Sequence, residues 1–127
     1  MALSKLSRSL LRRSLPRNAM TGLWTAYHGE PGHPLEEACR TWKLSSSQVQ
    51  AFFHSADAYE DRPYQRFYQM GCSISGHLQA EGRNWRFAIN GGGVATWQEG
   101  GTTRHFGCSA KKCESLLLLP TDGMGPE

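Results

Sequence analysis

The chain predicts an α+β fold: two N-terminal helices packed on a C-terminal antiparallel meander sheet of four to five strands. Three observations point there. Apolar residues recur at helical spacing between positions 35 and 56. From Cys72 onward the period of apolar residues falls from 3.6 to two. Short glycine-bearing turns join the alternating segments, and so short a connection suits antiparallel neighbours.

The first helix is expected to begin at Pro34, whose missing N–H goes unneeded in the first helical turn. Leu35, Ala38, Cys39 and Trp42 then form one apolar stripe. Glu36 and Glu37 occupy the first turn, where the positive end of the helix dipole favours carboxylates. In the second helix Ser45 and Gln48 have the spacing of a capping box, and Val49, Phe52, Phe53 and Ala56 repeat the stripe. The segment from Asp57 to Pro63 reads as exit and turn, because Pro63 disfavours helix at the residue before it.

In the second half, Cys72, Ile74, Gly76, Leu78 and Ala80 alternate with Ser73, Ser75, His77 and Gln79. Trp85, Phe87 and Ile89 alternate in the same way with Asn84, Arg86, Ala88 and Asn90. Glu81-Gly82 is a tight-turn candidate between the two. Gly91-Gly92-Gly93 precedes a β-branched and aromatic run rather than a helix, so it reads as a bulged turn and not as a phosphate cradle. Val94 to Gln98 and Thr102 to Phe106 are further strands, and Leu116 to Leu119 is a last candidate. Thr21 to His33, with Gly22, Gly29, Pro31 and Gly32, reads as turn-rich chain.

Charge divides the chain. Of 14 basic and 11 acidic residues, Lys5, Arg8, Arg12, Arg13 and Arg17 lie in residues 1–20, where there is no acid. Residues 21–127 therefore hold nine bases against all eleven acids, about −2. Residues 1–20 read as a basic, disordered leader, and residues 21–127 as one domain, in keeping with the size of a 127-residue chain. The acidic balance argues against a nucleic-acid face, which needs clustered cations. No apolar run nears the roughly 18–20 residues of a membrane-spanning helix. The leader also lacks the apolar core of a secretory signal, so a cytoplasmic and a periplasmic location both remain open.

Among the four cysteines, Cys39 lies on a helix stripe and reads as a buried thiol. Cys72, Cys108 and Cys113 are disulfide candidates, with Cys108 and Cys113 the preferred pair around a small polar loop. The alternative is a structural zinc module with Cys72, His105, Cys108 and Cys113 as ligands, although the chain has no C-x2-C knuckle. Without zinc, no cofactor is expected. No nucleophile elbow accompanies the hydroxyls and imidazole of Ser73, Ser75 and His77. His54 and Asp57, at i and i+3, read as a solvated helix pair.

Four patches occur in sequence: Val49-x2-Phe52-Phe53, Cys72-x-Ile74-x-Gly76, Trp85-x-Phe87-x-Ile89-Asn90-x-Gly92-Gly93 and Phe106-Gly107-Cys108-x4-Cys113. Together they resemble a group of small, largely uncharacterised bacterial proteins, some exported. The resemblance covers roughly residues 35–120 and implies no enzyme activity, cofactor or binding residue.

The leading expectation is a non-enzymatic module that binds another protein, such as a toxin-neutralising immunity-type protein. Its docking surface would be the polar sheet face carrying Ser73, Ser75, His77, Asn84, Arg86 and Asn90. A small hydrolase-like enzyme using the Ser73/Ser75/His77 face or the Cys108–Cys113 loop is the alternative, beside the zinc module.

Overall fold

The computed structural model describes residues 21–61, 63, 67 and 70–119, so the leader lies outside the described residues. A six-stranded, wholly antiparallel sheet dominates the α+β fold, with strand order β1-β3-β4-β5-β6-β2. The strands are β1 (Thr21–Tyr27), β2 (Asp57–Tyr59), β3 (Cys72–Ala80), β4 (Arg83–Asn90), β5 (Val94–Glu99) and β6 (Thr102–Gly107). Helices α1 (Pro34–Thr41) and α2 (Ser46–Ser55) lie between β1 and β2 in sequence.

The expected meander is the central run β3 to β6. Its first hairpin turns at Glu81 and Gly82, with φ of 56° and 73°. Two successive left-handed residues make the turn whose twist matches the flanking strands, and Glu81 accepts a conformation usually left to Asn, Asp or Gly. Along β4 the burial alternates, with Trp85, Phe87 and Ile89 buried. Their β3 partners Leu78, Gly76 and Ile74 lie on the same side, which defines the core face.

Three expectations are corrected at the sheet margins. The segment from Thr21 is not turn but strand, pairing antiparallel with β3 through a bulge between Thr21 and Trp24. Its Leu-Trp-Thr-Ala-Tyr run is rich in aromatic and β-branched residues, which suit a pleated edge once a neighbour supplies the ladder. Asp57–Tyr59, expected as exit chain, is a short edge strand on β6. His54 and Asp57 consequently belong to different elements rather than to one helix face. Leu116–Leu119 does not form a strand: Leu116 closes a 3-10 helix over Lys111–Leu116, and Leu119 N–H donates to Gly91 O at 3.0 Å. The sheet thus has six strands rather than four or five, and a strand precedes the helices.

The strand order explains what the helices do. From β1 on one sheet edge the chain reaches β2 on the other, and α1 and α2 carry it across the core face. His33 caps α1, its Nδ1 accepting from Leu35 N–H at 3.0 Å, and Pro34 follows in the first turn. Only the end of the α1 stripe is buried: Cys39 and Trp42 are, whereas Ala38 is exposed. Helix α2 has the full capping box, with Gln48 N–H donating to Ser45 Oγ and Ser45 N–H to Gln48 Oε1. Its Val49, Phe52 and Phe53 are wholly buried. The Phe53 ring meets those of Phe52, Phe87, Trp97 and Phe106 edge-on at centroid distances of 5.1–5.8 Å. Trp42 Nε1–H donates to Leu116 O at 2.8 Å, tying the interhelical segment to the 3-10 helix.

Two disulfides fasten the fold, Cys39–Cys72 and Cys108–Cys113. The second is the preferred pair. The first corrects the expectation of a free Cys39 thiol: the α1 stripe delivers Cys39 to the core-facing start of β3, where Cys72 sits. With every cysteine bridged, Cys72, Cys108 and Cys113 do not assemble with His105 into a zinc tetrahedron, and among the described residues no group of His, Cys, Asp and Glu could hold a metal ion.

Candidate functional site

The side chains between the core-facing ones point to the other side of the sheet. Register fixes who shares this outer face: Trp24 opposite Ser75, Ser75 opposite Ala88, His77 opposite Arg86, Arg86 opposite Gln98, and Gln79 opposite Asn84. The face has two unlike ends.

One end is covered. Val94 pairs with Gly107, and both face away from the core side chains Ala95 and Phe106. Phe67 is fully buried against this spot; a Cβ on Gly107 would stand 2.5 Å from its ring. Tyr59 meets the Phe67 ring edge-on at 6.4 Å. Asn90 finishes the closure. Its Oδ1 accepts from Met70 N–H at 3.1 Å and from Gly92 N–H at 2.9 Å, while its Nδ2 donates to Met70 O at 2.7 Å. All the partners are backbone, so this amide is a clamp joining the segment before β3 to the glycine turn. Its hydrogen-bonding capacity is largely spent within the chain.

The other end is open. His77, Gln79, Asn84, Arg86 and Gln98 are exposed there, and Trp24 is 41% exposed. The Arg86 guanidinium lies 5.9 Å from the Trp24 ring centroid, and the His77 ring 6.3 Å from it. Such a stack holds a cation over the negative face of an indole. No carboxylate lies among the outward residues of β1, β3 and β4, which are Trp24, Ala26, Ser73, Ser75, His77, Gln79, Asn84, Arg86, Ala88 and Asn90. The other described arginines are all paired: Arg40 with Glu36, Arg83 with Glu99 and Arg104 with Glu81. Arg86 alone has no carboxylate among the described residues. Beside Trp24, past the β1 edge, is a pocket of about 100 Å³ lined by Leu23, Trp24, Thr25, Lys43, Leu44 and Ile74.

The six residues expected to bind do share this face, but in different states. His77, Asn84 and Arg86 are exposed on its open end. Ser75 is only 8% exposed, and Asn90 is the clamp. Ser73 Oγ lies 3.4 Å from His28 Nε2, a contact sequence reasoning did not foresee. Trp24 was missed because β1 was read as turn, although the alternation of Leu23, Thr25 and Tyr27 with Trp24 and Ala26 was there to be seen.

The hydrolase-like arrangement finds little geometric support. Residues i and i+2 on a strand stand more than about 6 Å apart along it, so Ser73, Ser75 and His77 form a row rather than a hydrogen-bonded dyad. The exposed Ser73–His28 contact is long for a general base holding a nucleophile. In the Cys108–Cys113 loop both sulfurs are joined, so it offers no thiolate. Among the described residues no helix is long and apolar enough to cross a membrane.

No family model, no curated protein and no solved structure matches this chain.

Proposed function

We propose that the protein is a non-enzymatic module that binds another protein through the open end of its outer sheet face. The observation that carries this reading is the exposed Trp24 beside Arg86, which has no carboxylate partner among the described residues. Tryptophan and arginine are the side chains most enriched among residues that dominate protein–protein binding energy. Around them lie His77, Gln79, Asn84 and Gln98, a polar rim of uncharged hydrogen-bonding groups and one imidazole. The sheet beneath is covered by α2 on its core face and tied to α1 by the Cys39–Cys72 bridge, so the surface is presented on a rigid support. The two bridges support residence in an oxidising compartment, where disulfides persist.

In its most concrete version the partner is a secreted toxin and the module neutralises it. Affinity capture from the native host with the wild-type chain, Trp24→Ala and Asn84→Ala tests the general reading. A specific partner retained by wild type and reduced at least about tenfold by Trp24→Ala supports it, tenfold being the effect of losing a moderate hot spot. A partner retained equally by all three chains refutes it. The toxin version requires that the captured protein arrest growth when expressed alone and that co-expression of this chain restore it.

A further inference from the structure

The same surface carries information about the partner's chemistry, and this inference rests on the docking face proposed above. Each arginine on the described surface other than Arg86 already has its carboxylate. Arg86 instead lies against an indole and has no carboxylate partner among the described residues. A guanidinium presents a fork of N–H donors that a carboxylate oxygen pair satisfies better than any neutral acceptor. Lys43 adds a second cation at the rim of the pocket beside Trp24, again without a carboxylate among the described residues. The pocket is of mixed character: Thr25 and Lys43 line it beside Leu23, while Leu44 and Ile74 are buried beneath it, so the apolar surface on offer here is the exposed Trp24 ring.

We infer that the partner docks an acidic segment here, with a carboxylate on Arg86 and an apolar side chain against the exposed Trp24 ring. Arg86 lies against the Trp24 ring and Lys43 lines the pocket beside it, so the complementary ligand alternates negative charge with one apolar residue. Two features follow from that chemistry. Association weakens with salt, since solvent-exposed charges are screened over about 10 Å at 0.1 M ionic strength. Charge at position 86 also sets which partners are accepted, because a like charge placed there repels an acidic ligand.

The test uses the full oxidised chain and an unbiased probe, a displayed library of random peptides. Recovered peptides should be rich in Asp and Glu around one Leu, Phe or Trp, and should shift the Trp24 indole and His77 signals in proton–nitrogen correlation spectra. Arg86→Glu should weaken them at least about tenfold, and Arg86→Lys should retain most of the binding. Exposure of Arg86 means these variants keep the fold, and their melting temperatures check it. Neutral or basic peptides bound at the Trp24 face overturn the acidic chemistry while leaving the docking face standing. Peptides bound elsewhere, or no enriched peptide at all, overturn both. Binding of oligouronates but not acidic peptides at Trp24 replaces the protein partner with an acidic glycan.

Discussion

Removing the two disulfides separately should cost the fold unequal amounts. Cys39–Cys72 spans 33 residues of sequence and Cys108–Cys113 only five. In the loop-entropy model a cross-link stabilises by restricting the unfolded chain, more so for longer loops. For these separations that model gives about 3.7 kcal/mol for the first bridge and about 2 kcal/mol for the second. The comparison is clean because all four cysteines are about 1% exposed or less. Each double alanine variant therefore removes two buried sulfurs, and the cavity terms of the two largely offset. Urea unfolding of Cys39→Ala/Cys72→Ala and of Cys108→Ala/Cys113→Ala measures the difference directly. The first variant should lose more stability by about 1.5–2 kcal/mol. It should also show the larger rise in m, since its unfolded chain expands more. Equal losses, or a greater loss from the short loop, would refute the entropic argument and locate the bridges' effect in native packing.

Three further outcomes follow from particular contacts. Phe53→Ala empties the centre of a five-ring cluster and should cost about 3–5 kcal/mol in denaturant unfolding, whereas Gln98→Ala on the exposed outer face should stay within about 0.5 kcal/mol. Asn90→Ala removes an acceptor for two backbone N–H groups and a donor to one carbonyl; a loss of about 1–3 kcal/mol is expected, with faster hydrogen exchange at Met70 and Gly92. Glu36 is held below the ordinary glutamate range, first by the Gly32 N–H donating to its carboxylate and then by Arg40. A lowered folded pKa contributes stability that is present above the unfolded pKa and lost as pH falls through the folded one. Wild type should accordingly exceed Glu36→Gln in melting temperature at neutral pH, and the gap should close on the acid side of the ordinary glutamate range.

The parts of the fold legible in the sequence are those where local pattern and tertiary demand coincide. Val49, Phe52 and Phe53 sit where an amphipathic helix must bury them, and Ser45 with Gln48 makes the cap that the spacing implies. The β3–β4 hairpin is equally plain, because one face of alternating residues enters the core and the Glu81-Gly82 turn fixes its register. What escaped depends on pairing across distance. Asp57–Tyr59 has three residues and no periodicity of its own; it is a strand only because β6 offers an open edge. β1 is followed by Gly29, Pro31 and Gly32, and those turn signals masked a strand whose partner lies some fifty residues further on. Cys39 is set on its stripe correctly, but the proximity of Cys72 follows from α1 crossing against β1 and β3, which local sequence does not encode. The candidate site shows the same division. Its polar row on β3 and β4 could be read from alternation, yet the exposed Trp24 comes from β1, and Asn90 is bound by the backbone of Met70 in the segment before β3.

Binding on the open end of the outer sheet face can be tested by site-specific photo-cross-linking in the native host. A photoreactive residue is placed at Gln79 or Asn84 on that face, and at Glu37 on the exposed side of α1 as the control. One discrete protein adduct is expected from positions 79 and 84, lost when Arg86→Glu is added, and no adduct from position 37. An adduct formed from position 37 alone, or from positions 79 and 84 without response to Arg86→Glu, would contradict it.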